Sequence, residues 1–99
     1  MKAKLTKEDE AWAAKVKLRD KECVVCGETK RLNAHHILPR QLTEHRTDMM
    51  NGIALCPKHH RFSWELSAHQ NPMAFFFWMY NNRPKQFAYI INQIKIPKS

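Results

Sequence analysis

The chain has 99 residues, a formal net charge of +8 and three cysteines. A chain of this length folds as one small domain that buries only about 60–65% of its unfolded surface, so a bound metal would add useful stability. Its longest apolar run, Met73–Tyr80, is too short to cross a membrane, and the first residues lack the apolar core of a signal peptide. An odd number of cysteines argues against a disulfide framework. These features exclude a membrane-spanning or disulfide-stapled secreted protein and predict a soluble, cytoplasmic one.

The charge is unevenly distributed along the chain. No Asp or Glu follows Glu65, whereas four basic residues do: Arg83, Lys85, Lys95 and Lys98. A basic surface of this kind suits a polyanionic partner such as a nucleic acid, because contacts with phosphates release counterions. The alternative is a basic surface that serves only solubility.

Local signals predict the elements of the first half of the chain. In order, these are a helix over 6–20, a metal-binding knuckle over 21–30, a strand over 31–38, a loop over 40–50 and a short strand or turn over 51–56. Thr6 can cap the helix, and Asp9 completes a capping box. Gly27 allows the knuckle to turn tightly, and Pro39 ends the strand.

The second half of the chain predicts three helices. They run from Pro57 to about Ala68, from Asn71-Pro72 onward, and over about 85–95, where Phe87, Ile90, Ile91 and Ile94 recur at helical spacing. The aromatic stretch Phe75–Trp78 is predicted to lie in the core and pack the C-terminal helices onto the first helix. The alternative for one of these aromatic side chains is stacking on a nucleic-acid base. Together the elements predict a small, mainly helical α+β domain.

Two pairs of metal-binding residues have matched spacing. Cys23 and Cys26 are separated by two residues, and Cys56 and His59 repeat that spacing further along the chain. Thiolates and imidazoles are preferred zinc ligands, and this spacing lets both members of each pair face one ion. The pattern predicts a structural zinc bound by these four residues. His59 is favoured over the adjacent His60 as fourth ligand because it repeats the spacing of the first pair.

Three further histidines remain near the predicted zinc site: His35, His36 and His60. Adjacent residues on a helix diverge by about 100°, so His60 should point away from the zinc if His59 binds it. His35 and His36 face opposite sides of a regular strand, and both can serve one site only if the strand ends or bends near Pro39. A single histidine of this kind is more often an ordinary polar residue. Three histidines held close together by one zinc site indicate a functional site.

The segments CVVCG, LNAHHI, NGIALC and PKHH resemble, in that order, the ββα-metal motif of the HNH endonuclease family. The similarity extends from about Lys17 to Phe62, nearly half of the chain. The helices over about 72–95 are similar to the tails of small phage-type members. The resemblance implies a single HNH nuclease domain over 1–99, built around this motif and stapled by a structural zinc. If the protein is encoded by a phage, the resemblance also implies that it is located in the cytoplasm of the host cell.

The resemblance implies a role for each remaining landmark. His36 occupies the position of the general base that activates a water, and His35 that of a ligand to a catalytic divalent ion. Asn51 occupies the position of the residue that orients the base and secures the loop, and His60 that of a second metal ligand. Some members carry a further metal-binding histidine four residues later, where this chain has Trp64.

The predicted function is hydrolysis of phosphodiester bonds in DNA with one divalent ion. Two protein ligands would suit Mg²⁺, which keeps several waters, although Mn²⁺ or Ni²⁺ binds imidazoles as well or better. Arg40, Lys58 and Arg61 are candidates for phosphate contacts, and the compact motif predicts weak sequence specificity. The alternatives are a zinc module that binds nucleic acid without cutting it, and a structural phage protein in which zinc only holds the fold.

Overall fold

In the computed structural model, which describes residues 5–94, two short antiparallel strands form the centre of the fold. β1 spans Asn33–His36 and β2 spans Gly52–Leu55, with His35 opposite Ile53 and His36 opposite Gly52. All four residues of β2 are buried. β1 is shorter than the predicted strand over 31–38 at both ends. Arg31 has a left-handed backbone, with φ of 56°, which a strand does not contain, and beyond His36 the Leu38 N–H donates to the Asn51 side chain. The predicted α+β class is confirmed.

Helix α1 spans Lys7–Asp20 and begins with the predicted capping box between Thr6 and Asp9. Its inner face carries Trp12 and Val16, which are buried against the sheet. At its C-terminal end, Asp20 accepts a hydrogen bond from the Ala54 backbone N–H at 2.9 Å. The helix is therefore joined to β2 by both apolar and polar contacts.

Gly52 allows α1 to approach the sheet closely. A Cβ atom at this position would lie 2.4 Å from Trp12 Cζ2 and 2.7 Å from Val16 Cγ2. Gly52 pairs with His36 across the sheet, and the Trp12 ring stacks on the His36 ring at a centroid distance of 3.8 Å. The missing side chain of Gly52 therefore leaves the space in which Trp12 reaches His36.

The predicted helix from Pro57 to about Ala68 is wrong beyond Phe62. The chain forms a single π-helical turn over Lys58–Phe62, and Ser63 has an extended backbone. The backbone carbonyls of His59 and His60 accept hydrogen bonds from the N–H groups of Ala68 and His69, at 2.9 and 3.0 Å. These distant donors replace the helical partners of the two carbonyls, so the segment after Ser63 folds back onto the turn.

Two C-terminal helices complete the described fold. α2 spans Pro72–Asn82 and is capped by Asn71 as predicted, and α3 spans Pro84–Gln93. Ile94 is extended, which shortens the predicted last helix, and Lys95 lies outside the described residues. No helix within residues 5–94 is long and apolar enough to span a membrane.

The aromatic stretch of α2 is only partly in the core. Phe75 is buried and Trp78 half-buried, but Phe76 and Phe77 are 45% and 61% exposed. The prediction that all four are core residues is therefore wrong for this middle pair. A helix that packs on one side buries residues spaced by four, and on α2 that side carries Phe75 and Met79.

Candidate metal centres and active-site cleft

The four predicted zinc ligands lie close together. Cys23, Cys26, Cys56 and His59 have their ligand atoms within 4.8 Å of one another. The Cys26 and Cys56 sulfurs lie 3.7 Å apart, and His59 Nδ1 lies 3.4 Å from Cys56 Sγ. Ligands of a tetrahedral zinc, bound at about 2.0–2.3 Å, lie roughly 3.4–3.8 Å from one another. The geometry fits a zinc ion, with His59 rather than His60 as the imidazole.

A second cluster contains three histidines on the opposite side of the π-helical turn. The ligand nitrogens of His35, His60 and His69 lie within 4.8 Å of one another. His60 Nε2 and His69 Nε2 are 3.2 Å apart, and the ring centroid of His35 lies 5.1 Å from that of His60. His35 and His60 were predicted for this site, whereas His69 was not.

The π-helical turn separates the two clusters. His59 and His60 are neighbours in it, and as predicted their side chains diverge, one toward the cysteines and the other toward His35. The hydrogen bond from the His69 N–H to the His60 carbonyl brings the third histidine onto the same turn. The sequence signal for His69 was weak, because only the fold-back after Ser63 brings it near His60.

The three clustered imidazoles are neutral at physiological pH. Burial, followed by the charges of its histidine neighbours, lowers the pKa of His35 to about 3. Burial also lowers the pKa of His60 to about 4, and it lowers the pKa of His69. A neutral imidazole offers a nitrogen lone pair, which is the form that binds a metal.

His36 lies in the same cleft as this cluster but is held differently. Its Nε2 lies 2.9 Å from the backbone carbonyl oxygen of Arg46. A carbonyl can only accept, so Nε2 carries the hydrogen and Nδ1 is left as the proton acceptor of the ring. Burial lowers the pKa of His36, which keeps it neutral. The ring, stacked on Trp12, is thus neutral and keeps Nδ1 as its acceptor.

An ion pair fixes the carbonyl that holds His36. The Arg46 guanidinium donates to the carboxylate of Asp9, with Nε 2.8 Å from Oδ1. Asp9 is 1% exposed, and the Arg46 hydrogen bond holds the pKa of Asp9 well below its usual value. The same carboxylate lies 3.9 Å from His36 Nε2. Asp9, which was predicted only as part of a helix cap, therefore also holds the loop that carries Arg46.

Asn51 secures the loop between the two strands. Its Oδ1 accepts from the Leu38 N–H at 2.6 Å, and its Nδ2 donates to the carbonyls of Leu38 and His45 at 3.2 and 3.0 Å. Asn51 is fully buried. It thus fixes the loop that carries Arg46, and its link to His36 passes through that loop.

The histidines line an open cleft of about 450 Å³. Lys17 from α1, Arg40 from the loop and Arg61 from the π-helical turn line the same cleft. Lys58, which was predicted with Arg40 and Arg61 as a phosphate contact, instead lines a separate hollow beside Cys56. Two of the three predicted cations therefore lie at the cleft, and Lys17 adds a third that sequence reasoning missed.

Comparison with known proteins gives one family. Residues 23–64 match the family described as HNH endonuclease, which confirms the resemblance seen in the sequence. The match includes the four candidate zinc ligands together with His35, His36, Asn51 and His60, and it ends at Trp64, before His69. Searches among curated proteins and among solved structures gave no match to the chain.

Proposed function

We propose that this chain, whose residues 23–64 belong to the HNH endonuclease family, is a metal-dependent endonuclease that hydrolyses phosphodiester bonds in DNA. The observation that carries the proposal is the hydrogen bond of His36 Nε2 to the Arg46 carbonyl. It leaves Nδ1 of His36 as a proton acceptor, and His36 lines the same cleft as the His35–His60–His69 cluster. A zinc module that only binds nucleic acid has no need of this arrangement.

His36 acts as the general base. Its Nδ1 takes a proton from a water molecule while the water oxygen bonds to phosphorus and the bond from phosphorus to the leaving sugar oxygen breaks. General-base catalysis of this kind contributes about 10²–10⁴ to the rate. Trp12 holds the ring by stacking, and the Arg46 carbonyl fixes its tautomer, so the base is oriented before the substrate binds.

His35 and His60 would hold the catalytic divalent ion. Their neutral imidazoles fit such an ion, because nitrogen lone pairs converge there without competing protons. A bound divalent ion supplies Lewis-acid stabilisation of the charge that develops on the phosphate and the leaving oxygen. The zinc cluster has a different task, which is to hold the π-helical turn from which His60 projects.

Arg40, Arg61 and Lys17 are proposed to bind the DNA phosphates. They line the same cleft as the histidines and come from three different parts of the fold. Phosphate contacts position DNA without reading its sequence, so we expect weak sequence specificity. Cysteines that bind zinc and form no disulfide suit a reducing compartment, and we propose that the enzyme acts in the cytoplasm.

Plasmid nicking tests the proposal. Wild-type protein is incubated with supercoiled plasmid and Mg²⁺, Mn²⁺ or Ni²⁺, with EDTA as a control. His36→Ala should lower the nicking rate by about 10²–10⁴ while zinc content and DNA affinity stay unchanged and the melting temperature falls only slightly, through the lost stacking on Trp12. His45→Ala is the matched control, because its side chain contacts Tyr89 outside the cleft, and it should nick at the wild-type rate.

The outcomes distinguish the proposed enzyme from its alternatives. Binding of DNA without nicking in any of the three metals would favour the non-catalytic zinc module. A His36→Ala protein that nicks at the wild-type rate would show that the base is another residue. A parallel loss of melting temperature and activity would mean that His36 serves packing.

A further inference from the structure

We infer that His69 is the third protein ligand of the catalytic ion and that the resulting site selects a transition-metal ion over Mg²⁺. The inference rests on the proposed divalent-ion site and adds a residue that lies beyond the family match, which ends at Trp64. It also changes the expected metal, since two histidines alone would leave room for Mg²⁺.

The position of His69 fits a shared ion. Its Nε2 lies 3.2 Å from His60 Nε2. Two adjacent nitrogens that bind one ion at about 2.0–2.1 Å lie roughly 2.8–3.0 Å apart in octahedral geometry and roughly 3.3–3.4 Å apart in tetrahedral geometry, and the observed distance lies between the two. The ring centroid of His69 lies 5.2 Å from that of His35, so the three rings surround one point.

The backbone holds His69 in this position. The N–H groups of Ala68 and His69 donate to the carbonyls of His59 and His60, and the Ser67 hydroxyl, fully buried, accepts from the Gln70 N–H at 3.0 Å. His69 is therefore anchored on both sides to ordered backbone. An anchored ligand loses less conformational entropy when it binds an ion.

The structure also explains why position 64 cannot provide this ligand. A histidine four residues after His60 reaches the same ion only if a helix continues through both positions. Here the turn ends at Phe62, Ser63 is extended, and Trp64 is 76% exposed. The fold-back that ends the turn brings His69 to the ion site in its place.

The ligand set determines the preferred metal. Among the described residues, the cluster offers three imidazoles and no carboxylate. Mg²⁺ favours oxygen ligands and binds imidazole poorly, whereas affinity for nitrogen ligands rises from Mn²⁺ to Ni²⁺. The three-histidine cluster should therefore bind Ni²⁺ and Mn²⁺ in preference to Mg²⁺.

Calorimetric titration of the untagged, zinc-loaded protein tests the inference without reference to catalysis. Ni²⁺ should bind once per chain beyond the zinc, and Mg²⁺ should bind more weakly by at least about two orders of magnitude. His69→Ala should weaken Ni²⁺ binding by about tenfold to a hundredfold or more, with the melting temperature of the zinc-loaded protein unchanged. Gln70→Ala, an exposed neighbour, is the matched control and should bind Ni²⁺ like the wild type.

Each result separates this inference from the proposed nuclease function. If His69→Ala binds Ni²⁺ as tightly as the wild type while His60→Ala does not, the site has no third ligand at His69 and the inference is overturned, although nicking can persist. Equal affinity of the wild type for Mg²⁺ and Ni²⁺, or no binding of Ni²⁺, also overturns it. Loss of Ni²⁺ affinity in His69→Ala, in a protein that never nicks DNA, supports the metal site and rejects the nuclease.

Discussion

At the scale of single residues, the space beside Gly52 controls the position of the proposed base. Trp12 lies against both Gly52 and the His36 ring, and its indole N–H donates to the Asp48 carbonyl at 2.8 Å. The indole is therefore fixed from three directions. A side chain at position 52 would displace it and, with it, the surface on which His36 rests.

Gly52→Ala should therefore lower both stability and activity. The added Cβ would meet Trp12 at 2.4 Å and Val16 at 2.7 Å, and overpacking of this kind costs about 1–3 kcal/mol. The free energy of unfolding in urea measures the first effect and the plasmid nicking rate the second. Unchanged values for both would show that α1 can move away from the sheet without cost.

At the scale of elements, Asp20 joins the end of α1 to β2 and to the start of α3. It accepts hydrogen bonds from the Arg19 side chain and from the Ala54 N–H, and Arg83 lies 3.6 Å away. Burial alone would raise the pKa of Asp20, but these hydrogen bonds and the arginine charges outweigh it and leave the pKa below its usual value. The ionised form of Asp20 thus stabilises the fold.

Asp20→Asn should lower the free energy of unfolding at pH 7 by about 1–3 kcal/mol, because buried partners lose a charged acceptor. A carboxylate whose pKa is lower in the folded state stabilises the fold fully above its unfolded pKa of about 3.9. This stabilisation is lost as the pH falls through the pKa of the folded state. The gap between wild type and variant should therefore stay constant from pH 8 to pH 5 and narrow below about pH 4. Glu10→Gln, at an exposed carboxylate in the first turn of the same helix, should show a smaller gap of about 0.3–1 kcal/mol, from the helix dipole alone; an equal gap for both variants would contradict a special role of Asp20.

Elements with strong local signals were predictable from the sequence. The caps at Thr6 and Asn71 both formed as predicted, since a capping side chain bonds to backbone within three residues. The length of the turn after Pro57 was not predictable, because the carbonyls of His59 and His60 accept hydrogen bonds from residues nine positions later. His69 was missed for the same reason. Phe76 and Phe77 were wrongly predicted as core residues, because composition does not show which side of a helix packs.

At the scale of the whole molecule, the two candidate metal centres share one structural element. His59 and His60 are adjacent in the π-helical turn, and one faces the thiol cluster while the other faces the cleft. The core residues Cys23 and Cys56 pack with Ile53 and Leu55 of β2. The zinc cluster therefore connects the segment that carries Cys23 and Cys26 with β2 and with the π-helical turn. The shape of the cleft depends on these connections.

Loss of the zinc should consequently remove the cleft together with the fold. Cys56→Ser should lose stoichiometric zinc and much of the cooperative thermal transition, because binding energy at such sites is folding energy, and Ni²⁺ binding and nicking should disappear with it. His60→Ala is the informative comparison, since it should lose Ni²⁺ affinity and nicking but keep one zinc per chain and the wild-type melting temperature. Elemental analysis, circular dichroism and calorimetry on the two variants measure these effects. A Cys56→Ser protein that lacks zinc yet melts and nicks like the wild type would show that the turn holds His60 without the metal, and the dependence of one centre on the other would be rejected.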